Sequence, residues 1–173
     1  MVFVIIYIYM KKAPIPSNEE ERLEAVHRMA ILDTASEQRF DDLTQEAIEK
    51  IGVPISTVTI IDKDREWYKS KVGLLDKEGK RDVSFCGHAL FATDIFVVED
   101  TKEDDRFKDN PMVIGEPYIR FYAGISLLDN KTRLPIGVFC IKDIKPRKLT
   151  SEEINILMDL ASKAEIELNK KNS

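Results

Sequence analysis

The chain has 173 residues, 43% hydrophobic and 33% charged, which fits one domain with a sizeable core and excludes a disordered chain. Its formal charge of -5 argues against non-specific nucleic-acid binding, which needs a basic surface to displace phosphate counterions. The basic residues Lys142, Lys145, Arg147 and Lys148 form only a small patch beside acidic neighbours. Two cysteines without pairing spacing imply reduced thiols and a cytoplasmic setting rather than a disulfide framework.

The first ten residues, 1-MVFVIIYIYM-10, are apolar and β-prone. They are too few to span a bilayer as a helix, and the basic residues follow the run instead of preceding it as a secretory signal requires. The leader reads either as an added strand or swapped arm, or as an extension from an upstream start with Met10 opening the chain proper. The polar 10-MKKAPIPSNEEERL-23 favours the second reading. Residues 1–16 are therefore taken as leader and Pro-rich lead-in, and 17–173 as a single domain.

Ser17 or Asn18 caps a first helix, with Glu19, Glu20 and Glu21 at the positive end of its dipole and Leu23, Val26, Ala30 and Ile31 as its apolar stripe. A second helix is predicted over 36–51 from Phe40, Leu43, Ala47 and Ile51, stopped by Gly52 and Pro54. The β-branched 55-ISTVTIID-62 and 66-EWYKSKVG-73 read as a hairpin. Ser84 starts a short helix predicted to reach Asp94, apolar on nearly all sides and so suited to cover a sheet. Residues 95–100 read as a short strand, and the acidic 99–111 as a loop with at most a helical turn. The segments 119-IRFYAGISLL-128 and 135-PIGVFCIKDI-144 form a second hairpin, with Ile119, Phe121, Ala123, Ile125 and Leu127 on one face. A last helix starts at Thr150 or Ser151 and ends at Lys170 and Lys171. Its Ile154, Leu157, Ala161, Ala164 and Leu168 make a coiled-coil-like seam. This order predicts an α+β sandwich with an antiparallel sheet, helices on one face and the middle segments on the other.

Several pieces in one order carry a resemblance: 18-NEEERLEAV-26, 31-ILDT-34 with Phe40-Asp41, 66-EWYKSKVGL-74, 84-SFCGHA-89, 105-DRF-107 with Asn110-Pro111, 119-IRFYAG-124 and 146-PRKLTSEE-153. The sequence resembles a GAF domain of the type found with sensor histidine kinases and diguanylate cyclases. The resemblance implies a central antiparallel sheet, terminal helices on one side, a small-molecule pocket on the other and a sensory role. It further implies a homodimer through the terminal helices, and a kinase or cyclase as the output protein. It names no ligand or cofactor, because the fold hosts many.

Cys86 and His88 raise the question of chemistry. On a helix, residues two apart point to different sides, so the two do not share a metal ion or form a nucleophile–base pair. A packed thiol and a hydrogen-bonded histidine is the leading reading. The alternative is a thiol-dependent redox enzyme of the methionine-sulfoxide-reductase type, an activity known among relatives of the fold, with Cys86 reactive near a helix N-terminus and Cys140 as resolving thiol. A zinc set of Cys86, His88, Cys140 and His27 has the right donors without a recognised spacing. Linear-tetrapyrrole attachment, found in relatives, is weakened by Gly87 between cysteine and histidine. Glu99, Asp100, Glu103, Asp104, Asp105 and Asp109 lack the pattern of a calcium loop. The cyclic-nucleotide signature of other GAF domains is matched only at Asn130-Lys131. The ligand-binding candidates are Trp67, Tyr68, Phe85, Cys86, His88, Arg120 and Tyr122, with no catalytic or metal residue assigned. Arg120 and Tyr122 alternate with the apolar face of their strand. The rival for them is an Arg120 ion pair and edge-on packing of Tyr122. The expectation is a cytoplasmic sensory module binding a small molecule, without catalysis of its own, and without nucleic-acid or membrane partners.

Overall fold

The structure, a computed structural model, describes residues 10–170; the leader reading concerns residues outside that range. Six strands form one sheet: β1 (Ile55–Ile61), β2 (Arg65–Val72), β3 (Glu78–Lys80), β4 (Phe96–Val98), β5 (Phe121–Leu128) and β6 (Pro135–Asp143). Their order is β3-β2-β1-β6-β5-β4, and every neighbouring pair is antiparallel. The helices are α1 (Glu19–Arg28), α2 (Gln38–Ile51), α3 (Phe85–Ala89), α4 (Pro111–Ile114) and α5 (Ser151–Asn169). The α+β sandwich expected from the element order is the architecture found.

All seven β1 residues are buried, as a central strand covered on both faces must be. Its parity divides the core in two. Val58 and Ile60 face a helical layer with Phe40, Ala47, Phe121, Phe139, Leu157 and Ala164. Ile55 and Ile61 face the covering layer with Phe85, Cys86, Phe107, Tyr122 and Cys140.

α2 buries Phe40, Leu43, Ala47 and Ile51 as the periodicity predicts, and begins at Gln38 rather than Ser36 because Glu37 is extended. Gly52 ends it at φ 74, a left-handed conformation that glycine adopts without a Cβ clash. α1 departs from its expected stripe. It buries Arg22, Ala25 and Val26, while Leu23 is half-buried and Ala30 lies exposed beyond the helix end. Arg22 occupies an inward position because Glu19 accepts from its Nε and Nη2 at 2.8 and 2.9 Å and the Pro135 carbonyl accepts from Nη1 at 3.3 Å.

α5 opens with a reciprocal cap. The Glu153 N–H donates to Thr150 Oγ1 at 3.1 Å, and the Thr150 N–H donates to the Glu153 carboxylate at 2.8 Å. The expected seam is present, but Leu157, Ala161, Ala164 and Leu168 are buried in this chain's own helical core together with Leu160. The apolar residues that α5 leaves outside are Met158 and Ile166. Leu157→Ala is accordingly expected to lower unfolding free energy by about 2–5 kcal/mol in urea denaturation, the range for emptying a buried leucine site. Ile166→Ala is expected to change it by no more than about 0.5 kcal/mol in a monomer.

On the other face, Ser84 caps α3 by accepting from the Gly87 N–H at 2.9 Å. The helix stops at Ala89, five residues short of the Asp94 expected, and Ser126 Oγ donates to the Leu90 carbonyl at 2.8 Å. Likewise β5 starts at Phe121 instead of Ile119, because Thr101 takes the Ile119 carbonyl with Oγ1 at 2.7 Å and the Arg120 carbonyl with its N–H at 2.9 Å. Ile119 therefore joins the covering core rather than the helical one.

Candidate functional site: a buried polar cluster under the covering helix

Strand parity places Thr57 and Thr59 of β1, Glu66 and Tyr68 of β2, Tyr122 of β5, and Cys140 and Lys142 of β6 on the covering side, and α3 brings Cys86 down onto them. A dry apolar interface would be cheaper here, since buried polar groups cost free energy unless partnered. Glu66, 1% exposed, accepts from Tyr68 Oη at 2.8 Å and from the Ser84 hydroxyl. Lys142 is also 1% exposed, with its ammonium 6.0 Å from the centroid of the Tyr68 ring. No carboxylate pairs with it within 4.0 Å among the described residues, although Glu66 is near enough to act through its field. Burial works against the Lys142 charge, but Cys140, Glu66 and Cys86 more than offset it, so the ammonium is held charged.

The sulfurs meet at the centre of this cluster. Cys86 Sγ lies 3.6 Å from Cys140 Sγ and 3.7 Å from Thr59 Oγ1. Tyr122 Oη donates to Cys86 Sγ at 3.2 Å, and Thr57 Oγ1 is 3.0 Å from Cys140 Sγ. Burial, followed by the neighbouring Cys140, pushes the Cys86 thiol well above its ordinary range. For Cys140 burial also opposes ionisation, but the Cys86 hydrogen bond, the Lys142 charge and the Thr57 hydroxyl outweigh it and bring the thiol down to about 7. Burial likewise pushes the Tyr68 and Tyr122 phenols up, next to Glu66 and the two thiols respectively.

Above the cluster sits an aromatic stack. The Phe85 ring lies between Phe107 and Tyr122, with centroids 4.4 and 5.2 Å away. Phe96 meets Phe107 and Tyr122 edge-on. Gly124 makes room for this arrangement: a Cβ there would sit 2.4 Å from the Tyr122 hydroxyl. The stack fills the covering face, and sizeable grooves open at the margins. One of about 700 Å³ runs between α2 and β2 past Asp41, Trp67 and Lys77. Another of about 640 Å³ lies between residues 90–95, the end of β5 and α5, with Ile95, Ser126, Met158 and Glu165 in its walls.

Of the seven residues singled out from the sequence, Tyr68, Phe85, Cys86 and Tyr122 come together here. Trp67 does not: adjacent to Tyr68 on one strand, it must face the opposite side, and it packs in the helical core. Arg120 precedes the first residue of β5 and makes an ion pair with Asp100, Nη2 to carboxylate 2.9 Å, at the rim. His88 turns away from Cys86 to contact the Lys11 carbonyl at 3.0 Å and the Phe107 ring edge-on. Burial lowers the His88 pKa and so favours the neutral imidazole. His27 lies elsewhere, 3.1 Å from Asp62, which leaves the four-donor zinc set dispersed. The acidic loop is braced by its own cations, Asp104 with Arg106 and Asp105 with Lys108. Glu66, Lys142, Thr57 and Thr59 are the members that sequence reasoning left out of the site, while Cys140 entered there only as a resolving thiol or zinc donor. A lysine two positions after a cysteine in an otherwise apolar strand shares its face, and that was the available signal.

These features define an α+β module with an enclosed polar site between its sheet and a thin cover. The GAF domain family matches residues 35–168, and the chain belongs to that family. It is 35% identical over 138 residues to a cyclic di-GMP phosphodiesterase of Pseudomonas aeruginosa, a match covering 80% of this chain but only 23% of that enzyme. Among solved structures, the GAF domain of a phosphoenolpyruvate-protein phosphotransferase from Coxiella burnetii aligns at TM-score 0.63 and 16% identity, covering 88% of this chain and 95% of that one. A type II free methionine-R-sulfoxide reductase from Thermoplasma acidophilum aligns at TM-score 0.59 and 15% identity, covering 85% and 94%. Among the described residues, no helix is long and apolar enough to cross a membrane.

Proposed function

We propose that residues 17–173 form one small-molecule-binding sensory module of cytoplasmic signal transduction, without catalysis of its own. The observation that carries this reading is Lys142, a charged ammonium enclosed between sheet and cover without a carboxylate partner. Cys140, Glu66 and Cys86 hold the charge, yet no carboxylate among the described residues meets it directly, which leaves the ammonium to face an anionic group of a ligand. The ligand is small and carries an anionic group for Lys142. Glu66 and the Tyr68 and Tyr122 hydroxyls offer it further polar contacts. It enters by displacing the Phe85–Phe107 stack, so binding is coupled to movement of α3.

A contact route leads from the cover to the terminal helix. Arg81, in the turn before α3, reaches Glu19 of α1, and Glu19 also holds Arg22. Movement of α3 therefore shifts the anchorage of α1. The relative in which such a module makes up 23% of a cyclic di-GMP phosphodiesterase supports coupling to an output domain of a cyclase, phosphodiesterase or kinase type. Because the seam of α5 is consumed internally, a homodimer through the terminal helices would use its outer face, at Met158 and Ile166.

The test is a thermal-shift and native mass-spectrometry screen against nucleotides, cyclic dinucleotides, amino acids and small carboxylates. The reading expects an anionic compound that raises Tm and stays bound one to one; a panel that leaves Tm unmoved counts against it. The sulfur–sulfur contact favours a second reading, a sulfoxide reductase using Cys86. The full burial of both sulfurs weighs against it, because a substrate sulfoxide has no exposed thiol to meet. Sulfoxide turnover in the presence of a dithiol, abolished in Cys86→Ser, would support that second reading.

A further inference from the structure

We propose that Cys86 and Cys140 are a peroxide-responsive dithiol, oxidised to an intramolecular disulfide that staples α3 to the central strand β6. The two residues are 54 apart in the chain, yet their sulfurs touch at 3.6 Å. A disulfide at about 2.05 Å requires an approach of only about 1.5 Å. The partner able to move is Cys86. Cys140 is pinned in the ladder, opposite Thr57 of β1 and Gly124 of β5, whereas α3 is a helix of five residues.

The surroundings give the two thiols different roles. Lys142, two residues along the same face, and the Thr57 hydroxyl favour a thiolate at Cys140. Cys86 comes from α3 across the interface and is held by the Tyr122 hydroxyl. Thiolate character, access and a facing resolving thiol govern selective oxidation. Both sulfurs are buried, so hydrogen peroxide, far smaller than a substrate sulfoxide, reaches them when the five-residue α3 opens from the sheet.

In the first step the Cys140 thiolate attacks a hydroperoxide. An S–O bond forms, the O–O bond breaks, and the leaving alkoxide or hydroxide takes a proton to become an alcohol or water. In the second step Cys86 attacks the sulfenic sulfur. The S–S bond forms, the S–O bond breaks, and the departing hydroxide combines with the Cys86 proton as water. Two thiols and one hydroperoxide thus give one disulfide, one alcohol or water, and one water. The sulfurs lose the two electrons that the peroxide gains, and an external dithiol returns them. This chemistry stands independently of the ligand reading. Its structural effect is to fix the cover on the sheet and remove the thiolate facing Lys142.

The experiment treats the reduced, ligand-free protein with millimolar hydrogen peroxide over hours and blocks remaining thiols with N-ethylmaleimide. Intact mass and non-reducing peptide mapping are then read. The expected result is a monomer lighter by two hydrogens, a Cys86–Cys140 cross-linked peptide pair, a raised Tm, and recovery of both thiols with dithiothreitol. Cys86→Ser should stop at one added oxygen on Cys140, trapped by dimedone. Cys140→Ser should lose Cys86 thiol about tenfold more slowly than wild type, in keeping with its lower thiolate fraction. Free thiols after an exposed control thiol has been consumed, or cross-links formed only between chains, would overturn the proposal. Unchanged dimedone trapping in Cys140→Ser would overturn the assignment of the attacking sulfur.

Discussion

Glu19→Ala is expected to lower the unfolding free energy at pH 7 by about 3–5 kcal/mol, the scale for leaving buried charge uncompensated. Two guanidiniums converge on this carboxylate, from Arg22 with 0% exposure and Arg81 with 2%. Arg81 also donates to the Asp62 and Lys63 carbonyls at 3.1 and 3.3 Å, so it cannot swing out to water without breaking the turn below α3. Removing Glu19 strands both cations and frees α1 from the sheet. Burial by itself would raise the Glu19 pKa, but the Arg22 and Arg81 hydrogen bonds and charges hold it below the ordinary carboxylate range. A depressed folded pKa means the stabilisation is fully present above the unfolded value of about 4.3 and fades as pH falls through the folded one. Urea denaturation of wild type and variant should show the gap at pH 7 and a narrowing gap below about pH 4. A difference under about 1 kcal/mol at pH 7 would place this triad among weakly contributing surface pairs.

Lys142→Met should behave differently. The ligand-free domain is expected to stay within about 2 kcal/mol of wild type, because relief of a desolvated charge is set against loss of the cation that faces Glu66 and Cys140. Affinity for the anionic ligand should fall by about 2–5 kcal/mol, the cost of truncating one partner of a buried charged contact. Thermal unfolding with and without ligand measures both effects. A protein of near wild-type stability that no longer responds to ligand is the signature of a residue kept for binding. A variant that unfolds readily and binds normally would make Lys142 a structural residue.

Much of the fold was legible because it is written in periodicity. α2 and α5 show their buried faces at helical spacing, and β1 and β6 carry β-branched and apolar runs bounded by turns. What escaped were features settled by tertiary hydrogen bonds. α3 ends early near Ser126, and β5 starts late because Thr101 engages Ile119 and Arg120; neither donor is local in sequence. Arg22 is inside because Glu19 and Pro135 receive it, an arrangement that hydropathy assigns to solvent. For the site, parity was the usable rule. It separates Trp67 from Tyr68 and joins Lys142 to Cys140, but a basic residue in a strand reads first as surface. The meeting of Cys86 and Cys140 was not available from spacing, since it depends on how a short helix lies across a sheet.

The central claim is that a small molecule binds between the sheet and α3. Amide chemical-shift mapping with the compound identified by the thermal-shift screen tests it most directly. The account predicts perturbations clustered at Thr57, Tyr68, Cys86, Gly87, Tyr122 and Lys142, with weaker ones reaching Arg81 and Glu19. Shifts confined to residues 90–95 and the Met158–Glu165 side of α5, or to the groove between α2 and β2, would contradict it.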